Sequence, residues 1–83
     1  MEINVKLSEA IALRIKELLK EKRMTQYALF LKSGVPQTTI SAVVRCLHDN
    51  PSATVLWNIA TGLGVTMSEF YDSPLFAYEN IVD

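Results

Sequence analysis

Gln37, Thr38, Ser41, Ala42 and Arg45 stand at positions i, i+1, i+4, i+5 and i+8 of one short stretch. At 3.6 residues per turn that spacing gathers them on one side of a helix. The Gln37 amide donates and accepts at once, which is the pattern an adenine edge takes in a bidentate contact. The Arg45 guanidinium can fork onto guanine or hold a single phosphate. Thr38 and Ser41 offer hydroxyls to bases or phosphates, and Ala42 a methyl that suits the methyl of thymine. The other side of the same stretch carries Ile40, Val43, Val44 and Leu47 at i, i+3, i+4 and i+7, the spacing of a buried face. The plain alternative is a small amphipathic helix with a polar outside.

The elements around this stripe narrow the choice. Residues 25–45 read as two short helices joined by a tight turn at Ser33-Gly34-Val35. Thr25 is placed to cap the first helix, and Leu29 lies inside it. Gly34 takes the turn, where a positive φ is cheapest for glycine. Val35 plugs the angle between the helices, and Pro36 opens the second, where a missing N–H costs little. This is the layout of a helix-turn-helix, whose second helix enters the DNA major groove.

A chain of 83 residues, 49% of them apolar, is one small domain that needs an efficient core. No run of 18 apolar residues is present, so no membrane span is expected, and the start lacks the pattern of a signal peptide. The single cysteine, Cys46, cannot form an internal disulfide, and a reducing, cytoplasmic setting is the simplest fit. Cys46 and His48 are the only residues of their types. Two ligands do not make a tetrahedral zinc site, nor a catalytic pair without a third group. No metal, cofactor, small-molecule ligand or catalytic role is expected; a part-buried Cys46 and a surface His48 are.

The net charge of −1 conceals an uneven distribution. Residues 1–45 hold all eight basic residues and four acids, a balance of +4, whereas residues 46–83 hold five acids and no base. A positive motif half can face phosphates despite the acidic total. A solvated basic helix with an unrelated acidic tail is the competing account.

Along the chain, residues 1–7 form an arm in which Ile3, Val5 and Leu7 alternate. It fits a lone strand, a dimer contact or a frayed end. Ser8 is a plausible N-cap for a helix reaching about Lys22, with Ile11, Ile15, Leu18 and Leu19 as its apolar stripe. Lys16, Lys20 and Arg23 lie on another side, and Glu17 and Glu21 are placed to pair with Lys20 and Lys22. After a loop at residues 48–51, Ser52 caps a helix whose Val55, Leu56, Ile59, Ala60 and Leu63 should be core, with Trp57 at its edge. Gly62 and Gly64 are expected to end it. Thr66 and Glu69 form a capping box before a fifth helix, where Phe70 and Tyr71 close the core. Residues 73–83 hold Leu75, Phe76, Tyr78, Ile81 and Val82, too many apolar groups for an idle tail. That tail either folds back on the first helix or builds a dimer contact. The division expected is an arm at 1–7, a DNA-binding domain at 8–72 and an apolar tail at 73–83.

Leu13 to Tyr71, about 59 of the 83 residues, resembles the Cro and lambda-repressor-like (Xre-like) helix-turn-helix family. The resemblance is carried by RIKELLKEKRMTQ at Arg14 to Gln26, SGVPQTTIS at Ser33 to Ser41, NPS at Asn50 to Ser52 and GLGVTMSEFYD at Gly62 to Asp72. It implies an all-α, compact bundle of five short helices that binds double-stranded DNA and regulates transcription, as a repressor. It also implies a homodimer on an inverted repeat. One small module buries only roughly 600–1,000 Å² on DNA, and two half-sites about 34–36 Å apart would remedy that.

Gln26 matches the family glutamine that bonds a phosphate at a helix start. Lys32 joins it from the positive half. Asn50 lies in the connection that relatives lay on the backbone, where Asp49 would oppose contact. The chain departs from the family at Ala28, Phe30, Leu31 and Ala42, which make the motif surface less polar, and this is what a protein-interaction module on the same fold would show. Arg45-Cys46 replaces the usual asparagine and glycine, so the third helix is expected to run on to Leu47 or His48.

Overall fold

A computed structural model describes residues 4–47 and 50–83. Five α-helices follow in order: α1 (Leu7–Glu21), α2 (Gln26–Ser33), α3 (Gln37–Val44), α4 (Ala53–Leu63) and α5 (Met67–Tyr71). Two 3-10 turns, Pro74–Phe76 and Tyr78–Asn80, complete the chain. No strand ladder exists among the described residues, only an isolated parallel bridge between Val5 and Ile81. The expectations on Ile3, His48 and Asp49 lie outside the described residues.

The apolar stripes converge as their periodicity requires. Ile11, Ile15, Leu18 and Leu19 of α1 meet Leu29, Val35, Ile40, Val44, Leu56, Ile59, Leu63 and Phe70 in one core. α2 packs chiefly on α4, and α1 on α3. Val55 is half-buried at the margin and Trp57 is exposed on the outer side of α4. The helix starts follow their caps: the Thr25 hydroxyl accepts the Ala28 N–H at 3.0 Å and the Ser52 hydroxyl the Val55 N–H at 3.1 Å.

Three local expectations fail. Gly62 does not end α4; it is buried inside it, and Gly64 at φ 77° is the cap. A Cβ at Gly62 would lie 2.7 Å from Ser33 Cβ and 3.0 Å from Leu29 Cδ1, so glycine is what lets α2 and α4 approach. Ser8 is not the N-cap of α1. Lys6 holds that place, its N–H donating to Glu9 Oε1 at 3.0 Å. Pro36 is the N-cap of α3 and not its first helical residue, a shift of one position.

The capping box of α5 is complete. Thr66 N–H donates to Glu69 Oε1 and Glu69 N–H to Thr66 Oγ1, both at 3.0 Å. The Glu69 carboxyl is held below its ordinary value, first by the Thr66 N–H, then by the Thr66 side chain, and last by Lys22. Its folded value is thus depressed relative to the unfolded chain. The linked stability is present above the unfolded value and is lost as pH falls through the folded one. Thermal midpoints followed downward through the carboxylate range should fall less steeply for Glu69→Gln than for the parent; parallel curves would refute this.

Beyond α5, Phe76 packs on Phe70 and Tyr71 with ring centroids 5.9 and 4.7 Å apart, and the first 3-10 turn lies against α1. Leu75 and Ile81 are half-buried, whereas Tyr78 is 94% exposed.

Candidate nucleic-acid interface

The turn between α2 and α3 is built as its residues require. Gly34 sits at φ 75° and donates its N–H to Phe30 O at 2.9 Å. Val35 is buried, with its N–H on Ser33 Oγ at 3.1 Å. Ile40 and Val44 pin the inner side of α3 into the core. With that side locked, Gln37 and Thr38 must project from the first turn, and both are exposed. Ser41 and Ala42, one turn on, are half-buried, and Arg45 is exposed as the C-cap residue. No side chain caps the start of α3, so its first-turn amides point outward beside Gln37.

Asn50 comes to the same face. Thr38, Thr39, Ala42 and Val43 form one wall of a shallow groove, and Asn50, Pro51, Ser52 and Val55 form the other. Gln26 opens α2 and Lys32 lies in its last turn; both are exposed. They are six positions apart, about 9 Å along the axis. The structure thus joins Thr38, Ala42 and Asn50 around one groove and lines up Gln37, Ser41 and Arg45 on successive turns. It does not bring Gln26 and Lys32 to one point.

α3 does not run on. It stops at Val44, because Cys46 turns left-handed at φ 53°. Cys46 N–H reaches Val43 O at 3.2 Å and Leu47 N–H reaches Ala42 O at 3.0 Å, the paired bonds of a Schellman closure. Cysteine occupies the position glycine usually takes. Two expectations fall with it. Leu47 leaves the helix and is 55% exposed instead of completing the buried face, and Cys46 is exposed instead of part-buried. On α2, Leu31 is 62% exposed, and Phe30 is half-buried with its ring 6.0 Å from that of Tyr27.

Arg14, one of the eight basic residues of the positive half, turns toward α5. Its Nε donates to Phe70 O and one terminal nitrogen to Glu69 O, both at 2.7 Å, while the other pairs with Glu17. It closes the end of α5. Arg14–Glu17 replaces the expected pairing of Glu17 with Lys20, and it is the sole ion pair among the described residues. One signal pointed there: no Gly, Lys or Arg follows Glu69 anywhere in the sequence, so the last carbonyls of α5 needed a donor from elsewhere. The cations exposed on α2 and at the end of α3 are Lys32 and Arg45, so this surface is mostly amide and hydroxyl.

A helix-turn-helix family model matches residues 15–70. Over 62 residues the chain is 32% identical to the HTH-type transcriptional regulator SlrR of Bacillus subtilis (strain 168), a stretch that is 75% of this chain and 41% of that protein. The chain therefore spans about two fifths of its curated relative's length. The restriction-modification controller protein C.Esp1396I, solved as a tetramer in complex with its natural 35 base-pair operator, superposes with a TM-score of 0.75. The identity is 33%, over 80% of this chain and 86% of that one. The wild-type controller protein gives a TM-score of 0.74 at the same identity and coverage.

Proposed function

The chain belongs to the helix-turn-helix family, and from that premise we propose that it is a sequence-specific double-stranded DNA-binding regulator of transcription, acting as a repressor. The observation that carries the reading is the two-sidedness of α3. Ile40 and Val44 are fixed in the core while Gln37, Thr38 and Arg45 stand free. A rigid underside presents hydrogen-bonding groups at fixed spacing, as base readout requires.

Gln26, Lys32 and Asn50 hold phosphates and set register. Gln37, Thr38, Ser41, Ala42 and Arg45 read about four base pairs in the major groove. A homodimer on an inverted repeat supplies the second half-site. The operator bound by the C.Esp1396I tetramer supports this assignment of partner class.

Selection from a random duplex pool at about 0.15 M salt tests the reading, because weak non-specific binding is suppressed there. The expected product is an enriched inverted repeat. Gln37→Ala should bind that repeat about 5- to 150-fold more weakly, the worth of one bidentate base contact, and should lose preference at one position per half-site. Folded protein that enriches nothing would refute sequence-specific binding.

One observation favours a second reading. Tyr27 and Leu31 form an exposed apolar strip on α2, which suits contact with another protein. The two separate by salt: DNA binding falls steeply as salt rises, and apolar association does not.

A further inference from the structure

We propose that residues 77–83 form a strap that positions the Arg45 end of α3, with Asp83 as a positioning residue for DNA reading; this rests on the function proposed above. The strap is tied to the start of α1 by three bonds. Val5 N–H donates to Asn80 O and Val82 N–H to Val5 O, each at 2.9 Å. Leu7 N–H donates to Asp83 Oδ1 at 2.6 Å.

The last bond does what the local sequence cannot. Leu7 is the first helical residue of α1, and Lys6 before it has an ammonium side chain, which accepts no hydrogen bond. The Leu7 N–H therefore takes its acceptor from 76 residues away, and Asp83 adds a second carboxylate to Glu9 at the positive end of the helix.

The first turn of α1 in turn meets the end of α3. Cys46 Sγ lies 3.7 Å from Ser8 O, and Lys6, Ser8 and Asp83 share one cleft with Cys46 and Leu47. Cys46 is the left-handed residue that closes α3, and Arg45 immediately precedes it. A contiguous path thus runs from Asp83 through Leu7 and Ser8 to Cys46 and Arg45. The other end of α3 is seated independently, by Val35 and Ile40 in the core. About 12 Å of helix separates the two ends. Loosening the strap should degrade reading at the Arg45 end and spare the Gln37 end.

The test measures binding of the full chain to every single-base-pair variant of its selected site. Arg45→Ala and Gln37→Ala first define which base pairs depend on each residue. Asp83→Ala is then expected to shrink the penalties at the Arg45-dependent pairs at least about twofold, leaving the Gln37-dependent pairs unchanged. In an Arg45→Ala background, Asp83→Ala should have no further effect. Asp83→Asn keeps an oxygen acceptor for Leu7 N–H and should preserve the parent profile. Penalties that shrink evenly at all positions, or not at all, would overturn the strap, as would an effect of Asp83→Ala that persists without Arg45. A parent protein that selects no site defeats the DNA reading itself, a result distinct from these.

Discussion

Gly62→Val is expected to cost about 3 kcal/mol, the upper part of the usual range for overpacking. Gly62 lies within α4 where α2 crosses it. Even a methyl there would stand 2.7 Å from Ser33 Cβ and 3.0 Å from Ser33 Cα and Leu29 Cδ1. Two of these three neighbours cannot swing aside, because they are backbone or attached to it directly. The helices must separate, and Leu29, fully buried, must give up its packing. Gly62→Ala is a graded control. It meets the same close atoms but gains helix propensity of about 1 kcal/mol, so its net loss should be smaller. Urea unfolding followed by helical circular dichroism measures both. A valine variant as stable as the parent would mean that α2 and α4 do not cross this closely.

Phe70→Ala should be worse still, at about 4 kcal/mol. Phe70 is fully buried, with ring centroids 5.4 Å from Tyr71 and 5.9 Å from Phe76. Its removal empties the junction of α5, the first 3-10 turn and α1. A domain of this length has a total stability of about 4–12 kcal/mol. The variant should therefore be largely unfolded at 37 °C, or melt well below the parent. Phe70→Leu, which keeps most of the volume, should lose under half as much. Equal stability of parent and Phe70→Ala would deny α5 its place in the core.

The contrast between Gly62 and Thr66 shows what was legible in the sequence. The box of Thr66 and Glu69 is local; both bonds join residues three apart, and the pattern T-x-x-E announces them. The same holds for Thr25 and Ser52, and for the apolar spacing of Ile11, Ile15, Leu18 and Leu19. Gly62 stands two residues before a true helix-ending glycine, and only α2 reveals that it is a packing glycine. Arg14 and Leu7 are of the same kind. Each is completed by residues more than fifty positions away, and periodicity carries no trace of such partners.

For the candidate interface, the outward side of α3 could be read from the inward one, since Ile40 and Val44 fix the other residues by geometry. The end of α3 could not. Cysteine tolerates the left-handed turn at Cys46 poorly, so sequence preference argued for a longer helix. The paired closing bonds from Cys46 and Leu47 decided otherwise. The charge balance is equally blind to such partners. A sum over residues 1–45 counts Arg14 as available, while its donors are already spent on α5.

The bonds from Leu7 to Asp83 and from Arg14 to Phe70 have a consequence for the order in which the chain matures. Bringing together residues this far apart carries a loop entropy that grows with the logarithm of separation, by about 0.6 kcal/mol for each doubling. These contacts form profitably only once the intervening helices have collapsed. During synthesis α1 emerges before the groups that cover and cap it. A nascent chain stopped before residue 69 holds the whole helix-turn-helix but leaves Arg14 without its carbonyl partners and α1 without the Phe70 and Phe76 rings. The start and the flank of α1 are therefore closed late, by residues that follow the helix-turn-helix.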